Sequence, residues 1–419
     1  MRARSSKLAR NGLASGGAAI VEEGRGIDPR LRLVDEAVRD GIARGLGHLI
    51  AEDDQLGGRH ITLHGRRHVN FGSCSYLGLE TDLRLKTAAC DAVARYGVQF
   101  ASSRAYVSCP PYAELERLLD AIFQTPLVLA QTTTLAHFAA LPILIGREDA
   151  VICDQLVHNS VQAVLPTLQA AGTVCRFVRH SRTERLAEMV EALAARHRRV
   201  WYLADGVYSM HGDPAPLAEL ADLAARNERF HLYLDDSHGL TWTGAEGRGT
   251  LLGAGPLPAR SVMVASLAKA FAAGGAILAF PDAETARLVR ACGSTMIFSG
   301  PLQPALLGAA IASARIHLSD ELGVRQTRLR ERIQLFNALA AQRGLPLGSP
   351  AETPIRFVSV GDQEATYHVA SALMKEGFYT NTAVFPAVSR LRGGLRVALT
   401  VHQTEDDIRA LVDTIARRL

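Results

Sequence analysis

The sequence predicts an α/β protein: a three-layer domain of helices around a mainly parallel sheet, followed by a smaller α+β domain. Three observations predict it. From about residue 82, short apolar runs alternate with amphipathic stretches, the pattern of a sheet covered on both faces by helices. The runs carry no polar face, as buried parallel strands should not. Past about residue 345 the order loosens into separate strands and helices, and 419 residues exceed one ordinary core.

The elements follow in order. Apolar spacing from Leu31 to Ile50 predicts a helix, and His60–Leu63 with His68–Phe71 predicts a hairpin around His64-Gly65-Arg66-Arg67. Helices are expected over Asp82–Tyr96, Tyr112–Phe123, Thr134–Ile145, Leu186–Arg196 and Leu217–Asn227. Strands are expected at Leu127–Ala130, Ala150–Cys153, Thr173–Val178, Val200–Ala204, Leu232–Leu234, Ser261–Ala265 and Ala276–Ala279. One long helix should cover Pro304–Arg343 and stop at Gly344, with Pro346 just beyond. Ile355–Val360, Tyr379–Asn381 and Leu395–Leu399 read as strands, Ala365–Glu376 and Glu405–Leu419 as helices. This divides the chain into 1–69 (tail, helix and hairpin), 70–300 (large domain) and 301–419 (small domain).

Composition excludes several classes. A net charge of +4 gives no concentrated basic face for nucleic acid. The cluster Arg196-His197-Arg198-Arg199 reads as a solvated helix end complementing the helix dipole. No run of eighteen apolar residues suggests a membrane span. The basic start (Arg2, Arg4, Lys7, Arg10) resembles an organelle leader but reads better as a small-residue tail to about residue 26. Six dispersed cysteines without a C-x-x-C pair argue against zinc or dithiol chemistry, and for a reducing, cytoplasmic setting. No metal is expected.

Five segments carry chemistry. Leu232-Tyr233-Leu234-Asp235-Asp236-Ser237-His238-Gly239 is an apolar strand ending in acids and a histidine, where open α/β sheets bind ligands. Val262–Ala265 leads to Ser266-Leu267-Ala268-Lys269, a lysine among apolar and small residues. Desolvation lowers the pKa of such an amine and makes it a nucleophile. A helix cap would explain the first segment blandly, and a lysine reaching solvent the second. Together they fit pyridoxal 5'-phosphate (PLP): Lys269 carries the aldehyde as an imine, and Asp235 keeps the ring nitrogen protonated. Ser209, in Asp205-Gly206-Val207-Tyr208-Ser209, could donate to a ring oxygen. Gln131-Thr132-Thr133-Thr134 opens a helix and could bind phosphate, although a plain threonine cap has the same look. His158, just past a strand, could stack on a flat ring or merely fill a loop.

In this order the segments resemble the α-oxoamine synthase family of fold-type I PLP-dependent enzymes, from about Asn70 to the C-terminus. That group includes 8-amino-7-oxononanoate synthase, serine palmitoyltransferase and the aminoketone autoinducer synthases. Ala265-Ser266-Leu267-Ala268-Lys269 and the Asp-Ser-His step look closest to the autoinducer branch. The resemblance implies Lys269, His158 and His238 as catalytic residues. It implies Asp235, His238, Ser209, Thr133, Thr134, His158, Ser266 and Lys269 as cofactor contacts, with Phe298-Ser299-Gly300 completing the phosphate site from the partner subunit. Arg396, with Cys74 and Arg104, would meet the substrate. It further implies a homodimer with a shared active site and a decarboxylating condensation of a small amino acid with an acyl thioester (CoA or carrier protein).

The sequence departs from the family where substrates sit. Cys74 stands where an asparagine is usual, the stretch Phe100–Pro111 is glycine-poor, and Thr132-Thr133 replaces a Ser-Gly step. Aminotransfer or elimination on the same fold, and a non-catalytic scaffold, are the alternatives. Retention of Lys269, Asp235, His238 and Arg396 together argues against the scaffold.

Overall fold

The computed structural model describes residues 28–419. The expected N-terminal tail lies outside the described residues. Up to His48 the chain forms a unit of its own. Its helix, Pro29–Ala43, stops well short of the expected Ile50. Gly45 explains the stop. Its φ of 65° is left-handed, and the amides of Gly45 and Leu46 turn back onto the carbonyls of Ile42 and Gly41, each at 2.9 Å.

From Leu49 onward the chain holds three sheets. Strands β1 (His60–Leu63) and β2 (Arg66–Asn70) form the expected hairpin, but its loop is only His64-Gly65. Both residues have positive φ, 52° and 70°, as a tight two-residue hairpin turn requires. Arg66 and Arg67 read as loop because they are exposed, yet they belong to the strand.

All seven expected apolar runs are strands of one sheet. They are β3 (Leu127–Ala130), β4 (Ala150–Asp154), β5 (Val174–Val178), β6 (Val200–Asp205), β7 (Phe230–Asp235), β8 (Ser261–Ser266) and β9 (Ala276–Ala279). Their order is β3-β9-β8-β7-β6-β4-β5, and only β9 runs antiparallel to its neighbours. Every residue of β4, β6, β8 and β9 is buried. Two-residue alternation sends Tyr202, Ala204, Leu232 and Leu234 into one core and Trp201, Leu203 and Tyr233 into the other.

The long helix expected over Pro304–Arg343 is two helices, Pro304–His317 and Glu321–Gln342. The break falls at Ser319, whose amide and hydroxyl both turn back to the Ile316 carbonyl, at 3.0 and 2.8 Å. A serine hydroxyl that takes the carbonyl three residues back in this way competes with the helix. The first helix packs tightly on Leu83–Tyr96 because Gly308 lacks a side chain: a Cβ there would lie 2.2 Å from the Ala88 carbonyl oxygen. Short helices at Asn159–Gln162, Leu165–Ala170, Gly249–Ala254 and Ser294–Ile297, and a longer one at Ala283–Cys292, were not expected.

The C-terminal strands are β10 (Ile355–Gly361), β11 (Phe378–Tyr379), β12 (Asn381–Ala383) and β13 (Gly393–Ala398). The expected single strand at Tyr379–Asn381 is in fact two. β11 extends the N-terminal hairpin, pairing parallel with β2, whereas β12 joins the sheet β10-β13-β12. The last helix, Glu405–Arg418, opens with a capping box between Thr404 and Asp407. No helix among the described residues is long and apolar enough to cross a membrane.

Candidate active site

The carboxyl ends of the parallel strands open into one cavity, lined by Thr133, His158, Asp205, Val207, Asp235, Ser237, His238 and Lys269. Five segments that the sequence singled out, far apart along the chain, thus meet where open α/β sheets bind ligands.

Lys269 sits in the loop joining β8 to antiparallel β9. That loop is held by its own backbone: Leu267 donates to Gly275, Ala273 to Leu267 and Ala272 to Lys269, each at 2.9 Å. The amine has no hydrogen-bond or ion-pair partner among the described residues. Burial lowers its pKa, and the nearby Asp235 only partly opposes this. An amine that is buried, unpartnered and readily neutral is a nucleophile in waiting.

Asp235 ends β7. Its Oδ1 accepts from the Ser237 amide at 3.0 Å, and its Oδ2 takes Nε2 of His137 at 3.1 Å. His137 is fully buried, and its Nδ1 lies 2.8 Å from the Tyr233 hydroxyl. Burial alone would raise the Asp235 pKa, but the His137 contact and Lys269 more than reverse it, so the carboxyl stays ionised. Asp205, its register partner on β6, goes the other way: burial and the Asp235 charge raise it well above the carboxylate range. Adjacent acids in one site divide in this manner, one charged and one neutral. Asp236 faces away. It accepts from the Thr250 amide and hydroxyl at 2.6 and 2.8 Å, and burial pushes it up to about 7. A Cβ on Gly239 would come within 2.0 Å of its Oδ1, so the glycine after His238 makes room for this acid.

His158 caps the helix Asn159–Gln162. Its Nδ1 accepts from the Ser160 hydroxyl at 2.7 Å and amide at 3.3 Å, while its own amide donates to Asp205 Oδ1 at 3.0 Å. The ring is therefore fixed at the cavity wall, and burial lowers its pKa. His238 is fixed from the other side by the Tyr76 hydroxyl, 2.8 Å from Nδ1. Burial, with Lys269 and Arg396 nearby, holds it well below the usual histidine range, so it is neutral at pH 7. Arg396 is the permanent cation near this histidine, and Asp235 is the ionised acid of the cavity.

A second group gathers around Arg396, from β13. Its Nε donates to the Ser209 carbonyl at 2.6 Å and its Nη2 to Cys74 Sγ at 3.6 Å. Thr132 caps the helix Thr133–Leu144 by accepting from the Leu135 amide at 3.1 Å. The first amides of that helix are left to face a ligand. The other expected residues stand outside the cavity. Thr134 is exposed. Ser266 accepts from the Ala268 amide at 3.1 Å, and Ser299 donates to Gln131 Oε1 at 3.1 Å. Arg104 turns to Glu116 at 2.7 Å and Ser108 at 3.0 Å, its guanidinium 3.7 Å from the centre of the Tyr112 ring.

Sequence reasoning gave no role to His137, Asp205, Ser237 or Tyr76, although Asp205 and Ser237 stand in segments it singled out. One of these had a positional signal: Thr133 and His137 are four apart and so share a helix face. Asp205 meets Asp235 through the pairing of β6 with β7. The arrangement fits a flat anionic aldehyde: an unpartnered amine, an ionised acid, a helix start, and the buried Ser237 hydroxyl, which lacks a partner.

Comparison with known proteins agrees. The aminotransferase class I and II family matches residues 66–415. The chain is 34% identical to 8-amino-7-oxononanoate synthase of Azoarcus sp., over 84% of this chain and 88% of that one. It is 30% identical to the same enzyme of Beijerinckia indica, over 89% and 94%. Its fold matches a serine palmitoyltransferase variant from S. paucimobilis with a bound PLP–myriocin aldimine, at a TM-score of 0.86 and 21% identity, over 94% of this chain and 98% of that one.

Proposed function

The chain belongs to the aminotransferase class I and II family, and within it to the α-oxoamine synthases; we propose that it condenses a small amino acid with an acyl thioester, with loss of carbon dioxide, to give an α-aminoketone. The observation that carries this reading is the meeting of unpartnered Lys269 and ionised Asp235 in one cavity with His158, His238 and a helix start. Pyridoxal phosphate, when bound, supplies an aldehyde for amines and a ring that accepts the electron pair left by a departing proton. Asp235 would pair with the ring nitrogen, His158 would cover the ring face, and Thr133 would take the phosphate with Thr134, Ser266 and Ser299 around it. His238 and Ser209 would face the ring oxygen. Lys269 Nζ would take the substrate's Cα proton, a task worth roughly 10²–10⁴-fold. Arg396 would clamp the carboxylate as a two-pronged donor, with Cys74 beside it and Arg104 holding the loop nearby.

The test is product balance. With PLP, a small amino acid and an acyl-CoA or acyl-carrier thioester, carbon dioxide and free thiol should appear in equal amounts. Amino-group transfer without carbon dioxide would sink the reading. Within it, Arg396→Ala should raise KM for the amino acid about 10–100-fold, the value of one or two charge-assisted hydrogen bonds. KM for the thioester should barely move.

We also infer a homodimer. Loop 97–107 and the segment 294–300, tied by the Ser103 hydroxyl to the Ile297 carbonyl at 2.6 Å, expose Val98, Phe100, Tyr106, Val107 and Phe298. A second copy would cover this patch and bring its own Phe298-Ser299-Gly300 towards the shared site. Six free cysteines support a cytoplasmic setting. We retain 70–300 as the cofactor-binding domain and 301–419 as the smaller one.

A further inference from the structure

We infer that His180 is a positioning residue of the amino-acid site: it pins the loop Val207–Pro214 to the sheet and, through that loop, fixes the carbonyl that orients Arg396. The inference rests on the reading of Arg396 as the carboxylate clamp.

His180 lies just past β5. Its Nδ1 stands 3.2 Å from both carboxylate oxygens of Asp154, the last residue of β4. Its Nε2 bonds Oδ2 of Asp213 in the loop. Carboxylates accept and do not donate, so both ring nitrogens must carry protons, and only the imidazolium can do this. Burial by itself lowers the pKa of this ring, but the two acids more than reverse that and carry it up to about 9.

The loop is closed on itself. Val207 pairs with Pro214 across it, and the Tyr208 amide donates to the Asp213 carbonyl at 2.9 Å. Ser209, next to Tyr208, holds the carbonyl that accepts from Arg396. Asp213 is thus the loop's anchor and His180 its mooring on the sheet. The other groups facing His180 supply no replacement cation. Tyr202 of β6 donates to Asp154 Oδ2 at 2.9 Å, Tyr208 meets the ring at 4.2 Å between centroids, and the Ser181 hydroxyl is 3.1 Å from Nε2. Asp205 feels the charge of Asp154 and is itself an acid, and His211, on the loop, is kept low by burial. Without the proton on His180, Asp154 and Asp213 face each other as like charges and the loop loses its hold.

The sign of the pH effect follows. The folded pKa lies above the ordinary histidine value, so the pinning is complete below about 6.5 and is lost as pH rises through about 9. The experiment titrates glycine, alanine and serine into the PLP-loaded protein, followed by the visible band, from pH 6.5 to 10. It compares the wild type with His180→Gln and Asp213→Asn. His180→Gln should keep the cofactor band, bind the preferred amino acid about tenfold more weakly near neutral pH, the worth of one hydrogen bond, and lose the alkaline limb seen in the wild type. Asp213→Asn should move that limb to lower pH. Affinity and pH profile unchanged in both variants would overturn the inference. Should His180→Gln not fold, an unshifted limb in Asp213→Asn overturns it alone. A wild type without any cofactor band would sink the functional reading instead.

Discussion

Lys269→Ala should remove the visible absorbance band of the PLP-loaded protein and lower turnover at least ~10³-fold, since nucleophile and proton acceptor go together. The structure says why the loss should be so complete. Among the described residues, no other amine lines the cavity. The two histidines there are spoken for: His158 by Ser160, and His238 by the Tyr76 hydroxyl. Both have pKa values lowered by burial, so neither replaces an amine that must form and release a covalent bond. Because the pKa of Lys269 is itself lowered by burial, the free amine persists to lower pH than for an exposed lysine. Absorbance spectra and turnover of the variant, with fold checked by circular dichroism, decide the matter. A variant that keeps the band and the rate would place the covalent link elsewhere.

Much of this site was legible in the sequence, for a physical reason. Strands buried on both faces must be apolar, so acids, histidines and lysine at their ends stand out, and the fold brings those ends together. Asp235, His158, His238 and Lys269 were found this way. What escaped depends on register and on distant contacts. Tyr76 reaches His238 from far upstream in the sequence, and nothing local to Tyr76 announces it. Asp205 becomes a partner of Asp235 only through the pairing of β6 with β7. The same limit applies to elements. Ser319 broke the long helix through its bonds back to the Ile316 carbonyl, which apolar periodicity does not report. Asp236, next to Asp235 in the sequence, is held instead by Thr250 and close-packed glycines, which only the structure reveals.

His137 sharpens the second large effect, that of Asp235. Asp235→Asn should lower kcat/KM by about 10²–10³, the scale of losing one preorganised electrostatic partner of the reacting group. The shape is kept while the charge that would hold the ring nitrogen protonated is gone. His137 is not itself among the residues that line the cavity. It acts on Asp235 through Nε2, which must donate because a carboxylate only accepts. Its other nitrogen is fixed by Tyr233. His137→Phe should therefore weaken turnover about tenfold, one hydrogen bond's worth, and should weaken PLP binding in a direct titration. In a double-mutant cycle the two changes should not add. With Asp235 already an asparagine, His137→Phe should have almost no further effect on either rate or cofactor affinity. Full additivity would mean that His137 serves the core and not the carboxylate. The fully buried chain from Tyr233 through His137 to Asp235 argues for coupling, because a charge in such a place persists only with its partners in position.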